Sequence, residues 1–167
     1  MSGRSVVTVL ALITFARATD LSACGDKFLL LGRAVGYEQI LKASKPGMVL
    51  IYSTPGLPSA FSDGRFSALM ELAGHRHRSV RDRQSLEQAL ATAQVDVVLA
   101  DVSASAGIAD AVRASSTALV VPVLVDVPAV QRVDLERKFG CVLSLPADGR
   151  RVISTLDKAM KLKAKRS

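Results

Sequence analysis

Four groups of residues in this chain are of types that could do chemistry. Asp101 stands near the end of the apolar run Val95-Asp96-Val97-Val98-Leu99-Ala100-Asp101-Val102, which puts a carboxylate at the end of a buried strand. The loop Ser53-Thr54-Pro55-Gly56-Leu57-Pro58 follows a second run, Met48 to Tyr52, and lies where open α/β sheets bind ligands. His75 and His77, at i and i+2, would share one side of a strand, as a metal requires. Cys24 and Cys141 are the two cysteines, enough for one disulfide.

Each group also has a plainer reading. A lone strand-end Asp101 caps a loop or the next helix, and this is the preferred role. The 53–58 loop has neither a GxGxxG nor a GxxxxGK[ST] pattern, so it is no phosphate cradle, and Ser53 has no visible His–Asp partner for hydrolysis. No third ligand lies near His75 and His77, and Arg76 and Arg78 repel a cation, so a solvated helix-to-strand turn is expected. Cys141 sits in an apolar strand and reads first as a buried free thiol, with a Cys24–Cys141 disulfide as the alternative in an oxidising compartment.

The elements that position these residues alternate along the chain. The run at Met48–Tyr52 is a strand. A helix starts at Ser62 or Asp63, buries Phe66, Leu69, Met70 and Ala73, and stops at Gly74. A short edge strand is expected at Arg78–Val80. The next helix has Ser85 and Gln88 as a capping box and Leu86, Ala89, Leu90 and Ala93 on its apolar face. After the Val95–Val102 strand come a weaker helix from about Gly107 to Ser115 and a strand over Thr117–Val125. Pro122 in that strand should mark an irregular end or a boundary, because it cannot donate to a ladder. A helix from Val130 to Phe139, a strand from Cys141 to Leu145, and a final helix burying Val152, Ile153, Leu156, Ala159 and Met160 complete the order. Strands joined by helices at this spacing imply one doubly wound parallel sheet of about five strands with helices on both faces.

The totals agree with one ordinary domain. The chain has 167 residues, 49% hydrophobic and 22% charged, with 4% aromatic residues and no Trp. Its core must therefore be built from Val, Leu, Ile and Ala, as in parallel sheets covered on both faces. The net charge of +7 raises nucleic acid and anionic membrane as partners. Aromatics for base stacking are missing from the basic stretch 75–83, so nucleic acid is disfavoured. Lys158, Lys161, Lys163, Lys165 and Arg166 crowd the end of the last helix, where cations suit the dipole.

Before the alternating region the pattern changes. An eleven-residue apolar run, Val6 to Ala16, lies between Arg4 and Arg17. It is too short to cross a bilayer, which takes roughly 20 residues, and it fits a secretory signal. Ala16-Arg17-Ala18 offers a cut before Thr19, and Leu21-Ser22-Ala23-Cys24 resembles a lipobox, although Arg17 and Asp20 are unusual within one. The expected layout is a signal peptide over 1–23, cleaved after 18 or 23, an arm over 24–47, and the α/β domain over 48–167. Removing 1–23 leaves 20 basic and 14 acidic residues, still +6. In the arm, Lys27–Arg33 is expected to be an extra strand or an extended segment, and Tyr37–Ala43 a short helix. The expected location is periplasmic or secreted, with lipid anchoring at Cys24 as the lesser alternative.

The segment Leu86-Glu87-Gln88-Ala89-Leu90 followed by Val95–Asp101 resembles the stretch of a response-regulator receiver that runs from its second helix to the phosphoacceptor Asp. Val121-Pro122-Val123-Leu124-Val125 is similar to the fourth receiver strand, and Phe139-Gly140-Cys141-Val142-Leu143-Ser144-Leu145-Pro146 to the stretch ending in Lys-Pro. The resemblance covers about Met48 to Leu162 and implies a flavodoxin-like strand order, 2-1-3-4-5. It places Asp101 at the phosphoacceptor position. The family's acidic pair falls on Ser53 and Thr54, its switch hydroxyl near Asp126 and Val127, and its Lys on Leu145. Phosphoryl transfer needs cations to neutralise developing charge, and Mg²⁺ favours carboxylate oxygens. The expectation is therefore a non-catalytic pseudo-receiver, an exported interaction module with a protein partner and no cofactor. A phosphoacceptor receiver using Asp101 and a small-ligand sensor are the alternatives.

Overall fold

The computed structural model describes residues 29–30 and 41–166. The signal-peptide segment and Cys24 lie outside the described residues. In chain order the elements are β1 (Leu29–Leu30), β2 (Met48–Tyr52), α1 (Gly64–Ala73), β3 (Arg76–Val80), α2 (Arg83–Thr92), β4 (Val97–Asp101), α3 (Val102–Ser115), β5 (Leu119–Val125), α4 (Ala129–Phe139), β6 (Leu143–Leu145), β7 (Ala147–Asp148) and α5 (Gly149–Ala164). A 3₁₀ turn at Ser59–Phe61 leads into α1.

Five strands form one parallel sheet in the order β3-β2-β4-β5-β6. Numbered within this sheet, that order is 2-1-3-4-5, the flavodoxin-like arrangement, with helices on both faces. The strand residues divide by alternation, as the pleat requires. Val49, Ile51, Val97, Leu99, Val121 and Val123 meet α1 and α5; Leu50, Val98, Ala100 and Val120 meet α2, α3 and the end of α4. Because both faces are covered, the central strands read as continuous apolar runs rather than alternating ones.

The helix ends follow local chemistry. Asp63 caps α1 through the backbone N–H groups of Arg65 and Phe66, and Gly74 ends it in the left-handed conformation. Phe66, Leu69, Met70 and Ala73 are all buried, as their spacing predicts. For α2 the cap is Asp82, not Ser85: the Asp82 carboxylate accepts from the N–H and the Oγ of Ser85. The helix thus begins one turn before the predicted capping box. It is α3 that departs furthest from expectation, because Val102 belongs to it and it starts five residues before Gly107.

Pro122 lies inside β5 rather than at its end. The ladder to β6 begins only at Val123↔Leu143, so at Pro122 the strand has one neighbour, β4, and tolerates a residue without a donor. The last sheet strand is shorter than Cys141–Leu145; it covers Leu143–Leu145 and is followed by a cis Leu145–Pro146 peptide. β7 pairs in parallel with β1. From the arm, residues 41–47 form a strap against the α1/α5 face, with Leu41 and Ala43 packed on that core. Residues 41–43 of the helix expected at Tyr37–Ala43 are not helical; the others lie outside the described residues. Among the described residues no helix is long and apolar enough to cross a membrane.

Candidate functional site

The carboxyl edge of the sheet gathers Asp101, the 53–58 loop and the turns after β5 and β6. Asp101 is 9% exposed and serves as the N-cap of α3. Its Oδ1 accepts from the Ser103 backbone N–H at 2.8 Å and from the Ser103 hydroxyl. Ser105 Oγ donates back to the Asp101 carbonyl at 2.7 Å. The carboxylate is therefore already engaged by the first turn of the helix it starts.

Gly56 closes the other side. A Cβ at that position would lie 2.9 Å from Asp101 Cγ and 3.0 Å from each carboxylate oxygen. The loop thus comes down directly on the carboxylate, and the approach requires glycine. Ser53 and Thr54 have buried hydroxyl oxygens with no protein hydrogen-bond partner among the described residues. Neutral hydroxyls there do not supply the negative charge that holds Mg²⁺. Asp126, after β5, is exposed and has φ 50°, while Leu145, at the end of β6, is a buried apolar residue. Among the described residues no group of three or more His, Cys, Asp or Glu is placed to hold a metal. The arrangement is that of a capped, covered strand end.

Replacing Asp101 with Ala should lower stability by about 1 kcal/mol, the usual cost of losing an N-cap, and Asp101→Asn by much less. Urea unfolding of the three proteins measures both.

His75 and His77 both lie on the α1/α5 side but are not joined in one site. His77 Nε2 is 3.1 Å from Ser67 Oγ on α1, with its ring edge-on to Phe66. His75 is 3% exposed, so it is no solvated turn residue. Its Nδ1 accepts from the Gly47 N–H at 3.2 Å, which puts the proton on Nε2, and that atom is buried with no partner among the described residues. Desolvation by burial holds the ring below the ordinary histidine pKa, against the opposing pull of Asp157 and Asp96. The unfolded chain therefore binds this proton first as the pH falls. The His75 contribution to stability should be flat between about pH 6.5 and 8 and decline below that. His75→Asn, which keeps an acceptor near the Nδ1 position, should flatten that decline in urea unfolding measured across pH 5 to 8.

Cys141 is buried as a free thiol, and burial pushes it up to about 11, opposed by the positive charges of Lys158 and Arg166. A thiol held protonated in this way is a poor nucleophile. Its proposed disulfide partner, Cys24, lies outside the described residues.

No family model and no curated protein matches this chain. Its assignment rests on its own residues.

The sequence did not reveal a second concentration of polar groups, at the opposite end of the sheet. There Asp96 accepts from the Met48 N–H at 2.8 Å and pairs with Lys163 at 2.6 Å, and Asp157 accepts from the N–H groups of Ser44 and Lys45. Asp157 and His75, which accepts from Gly47, fasten the strap to the body by its backbone N–H groups, and Asp96 holds the first N–H of β2 beside them. The residues come from distant parts of the chain, and only the fold brings them together.

Proposed function

We propose that this protein is an exported, non-catalytic receiver-like module that acts by binding a protein partner, without phosphorylation at Asp101. One observation carries the reading: the Asp101 carboxylate caps α3 and is covered by Gly56, with hydroxyls in place of the acidic pair and Leu145 in place of the cation. A transferred phosphoryl group would need open space and cations around that carboxylate.

The contact surface we assign is the face of α4 and α5, with α4 at its centre. Receivers commonly use that face, and α4 here buries Phe139 alone while leaving Val130 77% and Val133 41% exposed. Two exposed valines a turn apart are an apolar contact in a helix that is otherwise charged. Export to the periplasm or beyond follows from the apolar run at Val6–Ala16, and weak contact with anionic envelope material from the excess of basic residues.

A photo-crosslinking residue at Val130 or Val133 in native cells tests this reading. One defined protein adduct at these positions, absent when the probe is at Arg113 on α3, is the expected result. Equal labelling at all three positions, or none, would count against α4 as the contact. The intact mass of the mature protein tests export: a start at Thr19 or Cys24 is expected, and a full-length mass would overturn it.

A further inference from the structure

The strap and α5 together wall a groove of about 350 Å³ that is separate from the α4 surface and from the edge at Asp101. Lys42 stands on the strap side, and Arg150, Lys158 and Lys161 on the helix side. Arg150, Ser154 and Lys158 repeat at i, i+4 and i+8, so they share one side of α5, with Lys161 a turn further on. From Arg150 to Lys161 the helix rises about 16 Å. Ser154 adds a hydroxyl, and Ile153 forms part of an apolar wall.

Among the described residues the only acid in the lining is Asp157, and it faces the strap. Its Oδ1 accepts from the Ser44 N–H at 3.0 Å and the Lys45 N–H at 3.4 Å, and its Oδ2 from the Ser44 N–H at 3.1 Å. None of the four cations is in an ion pair with a described residue. Four like charges are thus held around one small concave space, against one carboxylate already engaged by backbone donors.

We propose that this groove is a binding site for a compact, multiply charged phosphate anion, an oligophosphate. Arg150 supplies a planar fork suited to two phosphate oxygens, the lysines supply point charges, and Ser154 donates its hydroxyl. The volume is at the small end of ligand sites, and the span suits a short chain of phosphates. A flat membrane fits less well, because the apolar side of α5 is in the core and has nothing to insert into lipid. Lys42 joins the site only while the strap is docked, so Asp157 assembles the groove even though its charge opposes the anion.

Calorimetric titration of the full chain with sodium tripolyphosphate, at low salt and near 150 mM salt, tests the site, with sodium sulfate and anionic phospholipid vesicles as comparisons. One saturable tripolyphosphate site, tighter than sulfate, is expected. Lys42→Gln and Lys158→Gln should each weaken it about tenfold, the loss of one charge-assisted contact. Arg132→Gln on α4 removes the same charge elsewhere and should change affinity less than about twofold, as a screened distant charge does. Asp157→Ala should weaken binding although it removes an opposing charge, with a melting curve confirming that the variant is folded. Tighter binding in folded Asp157→Ala, equal effects of all three cation variants, preference for vesicles, or no saturable binding would each overturn the proposal. If Asp157→Ala does not fold, the exposed-lysine variants and Arg132→Gln decide it alone.

Discussion

Phe66→Ala should lower the unfolding free energy by about 4 kcal/mol, within the range for deleting a buried aromatic ring. Phe66 is completely buried in the first turn of α1. Its ring centroid is 5.0 Å from that of Phe61, and the edge-on His77 ring is 6.4 Å away. In a chain with only 4% aromatic residues the smaller side chains nearby cannot refill that volume, so a cavity remains under α1. Since whole domains are stable by about 5–15 kcal/mol, this one change would remove a large share of the total. Phe66→Leu, which leaves a smaller cavity, should cost about 1.5 kcal/mol. Urea unfolding with an unchanged m-value checks both figures.

The second large effect is expected at the amino end of the sheet. Asp96→Ala should cost about 3 kcal/mol, the loss typical of breaking a largely buried ion pair from one side. Its carboxylate does two jobs, accepting from the Met48 N–H where β2 begins and pairing with Lys163 from α5. The pair is well shielded, with side-chain exposures of 12% for Lys163 and 23% for Asp96. Without Asp96 the Lys163 ammonium loses the carboxylate 2.6 Å away, while the Val95 carbonyl at 3.3 Å stays in reach. Asp96→Asn retains an acceptor for Met48 and should cost about half as much. A double-mutant cycle with Lys163→Met should return a coupling of about 1–3 kcal/mol; additive effects would show that the pair contributes nothing of its own.

Much of the fold was legible because burial on both faces leaves a strong mark in sequence. Met48–Tyr52 and Val97–Asp101 stand out as apolar runs, and the helices α1 and α5 show their buried faces at helical spacing. The start of α3 was hidden for a local reason. Val102-Ser103-Ala104-Ser105 is a weak helix former by composition, yet Asp101 caps it and Ser105 bonds back to the Asp101 carbonyl. β3 was only half visible, since an edge strand with exposed Arg76, Arg78 and Ser79 does not have the composition of a buried one.

The site was less legible than the fold. The absence of carboxylates at Ser53 and Thr54 and of a cation at Leu145 can be read directly from the chain, and so can a capping role for Asp101. The close approach of Gly56 to that carboxylate cannot, because it depends on how a loop after β2 lies over the end of β4. The same holds for His75, which its polar neighbours made look solvated although the strap buries it. Asp157 meets Ser44 across 113 residues of sequence, a separation that no local pattern registers. Lys158 and Lys161 were visible as helix-end charges, but Lys42 becomes their neighbour only through that contact.

Whether Asp101 is a helix cap or a phosphoacceptor is decided most directly by incubating the chain with acetyl phosphate and Mg²⁺ and reading its intact mass. With the carboxylate held by Ser103 and covered by Gly56, the mass should remain that of the unmodified chain at every Mg²⁺ concentration. A phosphoryl adduct that forms on the native chain and disappears in Asp101→Asn would contradict the non-catalytic reading.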